Sequence, residues 1–109
     1  ECAQLLLHAN AVVNQAAGGG FTPLLIASQE CHLDIARLLI EAGAAVNQAG
    51  GGGISPLLIA CQEGHVECAR LLCGASAAVN QALNDGTTPL SMACLQGHLE
   101  CARLLLEVS

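Results

Sequence analysis

The chain has 109 residues, 53 % of them hydrophobic, with Phe21 as its single aromatic residue and a formal charge of -6 from nine acids against three arginines. This is about one domain's worth of chain. It lacks the clustered Lys and Arg that nucleic acid or an anionic membrane surface requires, and no apolar run reaches the length of a membrane span.

In chain order, residues 1–16 (ECAQLLLHANAVVNQA) read as the second half of a repeating unit. Residue 1 falls inside an already patterned segment, which suggests a piece of a longer chain rather than a signal peptide. Pro23, Pro56 and Pro89 follow at intervals of 33, as do His32, His65 and His98, and Arg37, Arg70 and Arg103. A strict period of this length marks a repeat architecture. The units are 17–49, 50–82 and a truncated 83–109, forming one array over residues 1–109.

Each unit carries its own start and stop signals. Thr22, Ser55 and Thr88 are N-cap residues, and the proline after each occupies the first helical position, where its missing N–H costs nothing. A helix of about eight residues therefore starts at each proline, stopped in the later units by Gly64 and Gly97 in left-handed conformation. A second helix is predicted over 33–42, 66–75 and 99–108. Asp34, Glu67 and Glu100 lie in its first turn, where the helix dipole favours an anion, each three residues before an arginine. It ends near Gly43 and its counterparts, and an AVNQA segment turns toward the next glycines. Leu24, Ala27, Leu38, Leu39, Val46 and their mates one period on are the expected core, buried only against neighbouring units.

These motifs, a G-x-[TS]-P-L-x-x-A run, Gly-His before the second helix and A-R-L-L-x-x-x-A-x-V-N at its end, resemble the ankyrin repeat over essentially the whole chain. The resemblance implies an all-α repeat solenoid of about three and a half helix-turn-helix units with projecting β-turn fingers. It implies a non-catalytic protein-protein interaction module whose concave face is formed by finger tips and first helices. The contact residues it indicates are Gly18, Gly19, Phe21, Gln29 and Glu30 in the first full unit. The second supplies Gly51, Gly52, Ile54, Gln62 and Glu63, and the third Asn84, Asp85, Thr87, Leu95 and Gln96. Asn14, Asn47 and Asn80 match the turn asparagine that intracellular asparaginyl hydroxylases modify. Where the family usually has His after Thr-Pro-Leu, this chain has Leu25, Leu58 and Ser91, so a polar network between adjacent turns is expected to be absent or altered. Where it has Asp before Val-Asn, this chain has Val12, Ala45 and Ala78. At the finger start, where Asp is common, stand Ala17, Gly50 and Leu83.

Phe21 and Ile54 are expected to form a small apolar strip beside Glu30 and Glu63, suited to a protein or peptide with an aliphatic anchor flanked by Lys or Arg. The alternative reading is a structural spacer or idealised scaffold fragment of a longer array, with no ligand of its own. Both ends lack polar outer faces, which predicts fraying or end-to-end self-association.

The seven cysteines and the three periodic histidines raise metal binding and disulfides as questions. Equivalent positions on stacked helices lie about 8–10 Å apart, too far for one zinc ion or for a disulfide between Cys61 and Cys94 or Cys68 and Cys101. An odd cysteine count in aliphatic surroundings suggests reduced thiols and an intracellular setting, cytoplasmic or nuclear. No nucleophile–base pair stands apart from the repeat pattern, and the glycine runs lack the lysine of a phosphate loop, so no catalytic residue, cofactor or metal is assigned.

Overall fold

The computed structural model describes residues 18–108; the half-unit expected at 1–16 and Asn14 lie outside the described residues. Six helices follow in order: α1 (Pro23–Glu30), α2 (Leu33–Glu41), α3 (Pro56–Glu63), α4 (Val66–Gly74), α5 (Pro89–Gln96) and α6 (Leu99–Val108). The described residues contain no strand.

The start signals act as their chemistry requires. Thr22 Oγ1 accepts from Leu25 N at 3.3 Å, Ser55 Oγ from Leu58 N at 3.2 Å and Thr88 Oγ1 from Ser91 N at 3.1 Å. Each replaces a partner that the first turn of the helix cannot supply, with proline filling the position where no donor is needed. Gly64 and Gly97 close α3 and α5 at φ 77° and 74°, and their N–H groups bond back into the last turn. Cys31 takes the same left-handed position after α1 at φ 60°, without glycine's freedom. Helices α2 and α4 end one residue earlier than the pattern suggests, with Ala42 and Ala75 as capping residues and the backbone turning left-handed just beyond, at Gly43 (φ 92°) and Ser76 (φ 71°).

Within a unit the two helices pack on each other, and each helix packs on its counterpart in the next unit: α1 on α3 on α5, and α2 on α4 on α6. The contact between first helices is the more extensive. One core runs through the stack, with Leu24, Ala27, Ala36, Leu57, Ala60, Cys61, Cys68, Ala69, Leu72, Ala93, Cys101, Leu104 and Leu105 buried and Val46, Val79 and Leu90 packed against it. Leu39 is half-buried. Among the expected core residues Leu38 is a correction, being 48 % exposed. Its counterpart Leu71 is half-buried and Leu104 buried. In the last described unit only the preceding unit can supply that cover, so this position faces the N-terminal side of its unit.

Leu25 and Leu58 are fully buried where the polar network was in question. A methyl group on Gly50 would sit 3.1 Å from Leu25 Cδ1. Aliphatic packing against a bare backbone thus occupies that place.

Candidate functional site

The fingers are held by backbone. Gly50 N donates to Ile54 O and Leu83 N to Thr87 O, both at 2.8 Å, closing the second and third fingers at their base. Gly18–Gly20 and Gly51–Gly53 each form a tight turn, with Gly19, Gly20, Gly52 and Gly53 at φ between 79° and 88°. Side-chain-bearing residues rarely adopt this region, which accounts for glycine there.

The turns also touch. A Cβ on Gly20 would stand 3.3 Å from Gly50 Cα, one on Gly51 2.9 Å from Gly19 O, and one on Gly53 2.8 Å from Asn84 Oδ1. Asn84 N donates to Gly52 O at 2.8 Å. Gly18, Gly19, Gly51, Gly52, Asn84, Asp85 and Thr87 therefore share one row of stacked fingers. The glycine triplets are contacts between fingers, where one backbone packs closely on the next.

The polar side chains of this row lie in the third finger. Asp85 Oδ1 accepts from Thr87 N at 3.0 Å and from Thr87 Oγ1 at 2.8 Å. The Thr87 hydroxyl, then its N–H, holds the Asp85 carboxyl below its ordinary range. Asn84 and Asp85 are exposed, and Thr87 is half-buried.

Behind the fingers, Phe21 and Ile54 are half-buried. A methyl group on Gly50 would lie 3.4 Å from Phe21 Cδ1, so the ring rests against the next finger as well as facing outward. At the far ends of the first helices Gln29, Glu30, Glu63, Leu95 and Gln96 are exposed and Gln62 is half-buried. The histidines join this row. His65 Nε2–H donates to Gln29 O and His98 Nε2–H to Gln62 O, each at 3.1 Å. Each histidine thereby satisfies a carbonyl that the preceding unit's first helix leaves free.

Asn47 Oδ1 accepts from Ala78 N at 2.7 Å, and Gln81 Nε2 donates to Asn47 O at 2.9 Å. Both bonds tie one turn to the next. Asn80 is exposed.

The six described cysteines are free thiols. Cys61 meets Cys101, and Cys68 meets the buried Ser28 hydroxyl. Both pairs join a first helix to the second helix of the following unit, an offset hidden by comparing residues one period apart. Burial, reinforced by the neighbouring thiols, pushes the Cys61 thiol up to about 12. Burial likewise raises Cys68, Cys73 and Cys101. A thiol held protonated is a poor nucleophile. Among the described residues no group of three or more His, Cys, Asp or Glu is placed to hold a metal ion, and no helix is long and apolar enough to cross a membrane.

Stacked helix pairs joined by backbone-paired fingers, with histidines and asparagines bonding each unit to its neighbour, define a helical repeat solenoid. Residues 44–109 match the profile of ankyrin repeats in three copies, and residues 19–50 match that of a single ankyrin repeat. The chain belongs to the ankyrin repeat family. Repeats of this family are generally non-enzymatic modules for protein-protein interaction. No curated protein matches the chain.

Proposed function

We propose that the chain binds a protein or peptide through the face formed by its finger row and the exposed ends of its first helices. The observation that carries this reading is the shared row of fingers, which lines up Gly18, Gly19, Gly51, Gly52, Asn84, Asp85 and Thr87. The closer packing of first helices supports a face that is concave on that side. Phe21 and Ile54 supply apolar area, and Glu30 and Glu63 supply exposed acid. An aliphatic anchor flanked by Lys or Arg suits that combination, and the net negative charge would speed its approach.

Display selection from a random peptide library tests the reading. Enriched peptides should carry basic residues beside an aliphatic one, and the E30K/E63K and I54A variants should lose at least tenfold in affinity. No enrichment, or binding indifferent to these changes, refutes it. I54A and F21A are checked by melting temperature, because Phe21 also supports a finger.

Two further readings have their own observations. Asn47 and Asn80 are proposed substrates for an asparaginyl hydroxylase. The Asn47 amide is engaged by Ala78 N, so its turn must open for modification. Intact-mass analysis after incubation with such an enzyme should show added oxygen, increasing in variants that loosen the turn, and an unchanged mass dismisses the idea. End-to-end association of arrays is favoured by the placement of exposed large hydrophobics. Ile26, Ile35 and Leu38 fall in the first described unit and Leu95, Leu99, Leu106 and Val108 in the last, with none in the unit between.

A further inference from the structure

The two joints between described units are built alike, but one buried contact differs in its chemistry. In the first joint Ser28 of α1 faces Cys68 of α4, and in the second Cys61 of α3 faces Cys101 of α6. All four residues are sealed from solvent, Cys61 at 0 % and Cys101 at 1 % exposure. The three thiols belong to the one core that runs through the stack. At this contact the first joint therefore holds one thiol and the second holds two. Cys68 and Cys73 act on Cys61 through space alone, whereas Cys101 also bonds its side chain, and Cys101 has Cys61 as its own side-chain partner.

We propose that Cys61 and Cys101 are a disulfide site that staples the second unit to the third, with a small-molecule disulfide such as oxidised glutathione as its co-substrate. One cysteine, as thiolate, attacks a sulfur of the small disulfide, forming a mixed disulfide and expelling one small thiolate. The other cysteine, as thiolate, attacks the protein-bound sulfur, forming the Cys61–Cys101 bond and expelling the second small thiolate. Two protein thiols are oxidised, the small disulfide is reduced to two thiols, and the two cysteine protons end on them. Excess small thiol reverses both steps.

Neither sulfur reaches solvent while the joint is closed. The first attack therefore takes place with the joint open, and its closure delivers the second thiol to the mixed disulfide. Burial, which holds both thiols protonated, slows the reaction further in the closed state. The new bond closes residues 62–100 into a loop, which restricts the unfolded chain more than a fold that already holds the two side chains together. Once linked, the second and third units come apart only as a pair.

Refolding from urea in a mixture of reduced and oxidised glutathione tests the site, because every thiol can exchange before the joints form. Cleavage after glutamate then separates the candidates: Cys61 falls in peptide 42–63, Cys101 in 101–107, and Cys68, Cys73 and Cys94 together in 68–100. Mass spectrometry should recover 42–63 linked to 101–107, enriched at least tenfold over chain held in urea with the same mixture. The linked chain should melt roughly 10 °C or more above the reduced chain, and added dithiothreitol should abolish the difference. Cys61→Ser, which copies Ser28 of the first joint, should lose both the link and the shift while keeping the circular dichroism of the reduced chain, and Cys101→Ser should do the same from the other side. The site is overturned if the refolded chain stays reduced, pairs its thiols no more selectively than in urea, or melts no higher once linked.

Discussion

Replacing Gly53 by Ala separates a close-packed finger row from a set of flexible tips. Gly53 sits at φ 88°, where a side chain costs about 1–2 kcal/mol. Its new methyl group would also lie 2.8 Å from Asn84 Oδ1 and 3.0 Å from Asn84 N, inside ordinary contact distance. The side-chain oxygen can swing away, but the backbone nitrogen moves only with its finger. That movement weakens the bond from Asn84 N to Gly52 O, worth about 0.5–1.5 kcal/mol net. The expected loss is roughly 2–3 kcal/mol, or a fall in melting temperature of roughly 10–20 °C for a domain of this size. Urea unfolding followed by far-UV circular dichroism measures it. The control is Gly18→Ala, where a new Cβ meets nothing within 4 Å and the change should stay within about 0.5 kcal/mol. If the two variants are equally stable, the fingers do not pack as described.

Three other outcomes follow. Cys31→Gly should raise stability by about 1 kcal/mol by relieving a left-handed backbone, whereas Gly64→Ala should lower it, since its Cβ would stand 2.7 Å from the His98 ring; thermal melts compare the pair. The buried thiols make the fold sensitive to alkali. With Cys61 raised from 9.0 to about 12, the folded state keeps its proton while the unfolded chain loses it, so stability is intact below pH 9 and is lost as pH rises toward 12. Between pH 8 and pH 10 this thiol alone accounts for about 1.4 kcal/mol, and Cys61→Ala should flatten the slope of melting temperature against pH. Finally, a thiol reagent at pH 8 should modify exposed Cys94 well before Cys61, Cys68 or Cys101, with Cys94→Ala removing that early reaction, as mass spectrometry of labelled peptides would show.

Helix starts were legible because their chemistry is local. A capping hydroxyl followed by proline needs no knowledge of the rest of the chain, and Thr22, Ser55 and Thr88 each accept the expected N–H. Glycine stops were equally readable at Gly64 and Gly97, but Cys31 takes the same left-handed turn with no residue signal to mark it. Leu38 shows a different limit. The period identifies equivalent positions but not which neighbour covers them, so a residue buried in the last described unit is exposed in the first. Cys61 with Cys101 was hidden for the same reason, since stacking offsets the contact from one helix of a unit to the other helix of the next. Within the proposed site, the sequence pattern indicated which residues belong to finger tips. It could not reveal that Gly51 and Gly53 are small because another backbone lies against them.

This last point bears on how such a face would discriminate among partners. In the first two fingers the backbone demands glycine at Gly19, Gly20, Gly51, Gly52 and Gly53, leaving little side-chain chemistry to vary there without strain or loss of packing. The third finger keeps a left-handed glycine only at Gly86, at φ 93°; Asn84 and Asp85 are exposed, and Thr87 fixes the Asp85 carboxylate in place before any partner arrives. An ordered, negatively charged tip loses little entropy on binding, whereas the apolar strip supplies area with less directional preference. On the proposed reading, selectivity for a basic partner therefore concentrates at Asp85. Asp85→Asn retains an acceptor but removes the charge, so it should weaken basic peptides about tenfold, on the order of 1.4 kcal/mol, while leaving the melting temperature nearly unchanged. An equal loss for a neutral aliphatic peptide would show that the carboxylate shapes the finger rather than reading charge.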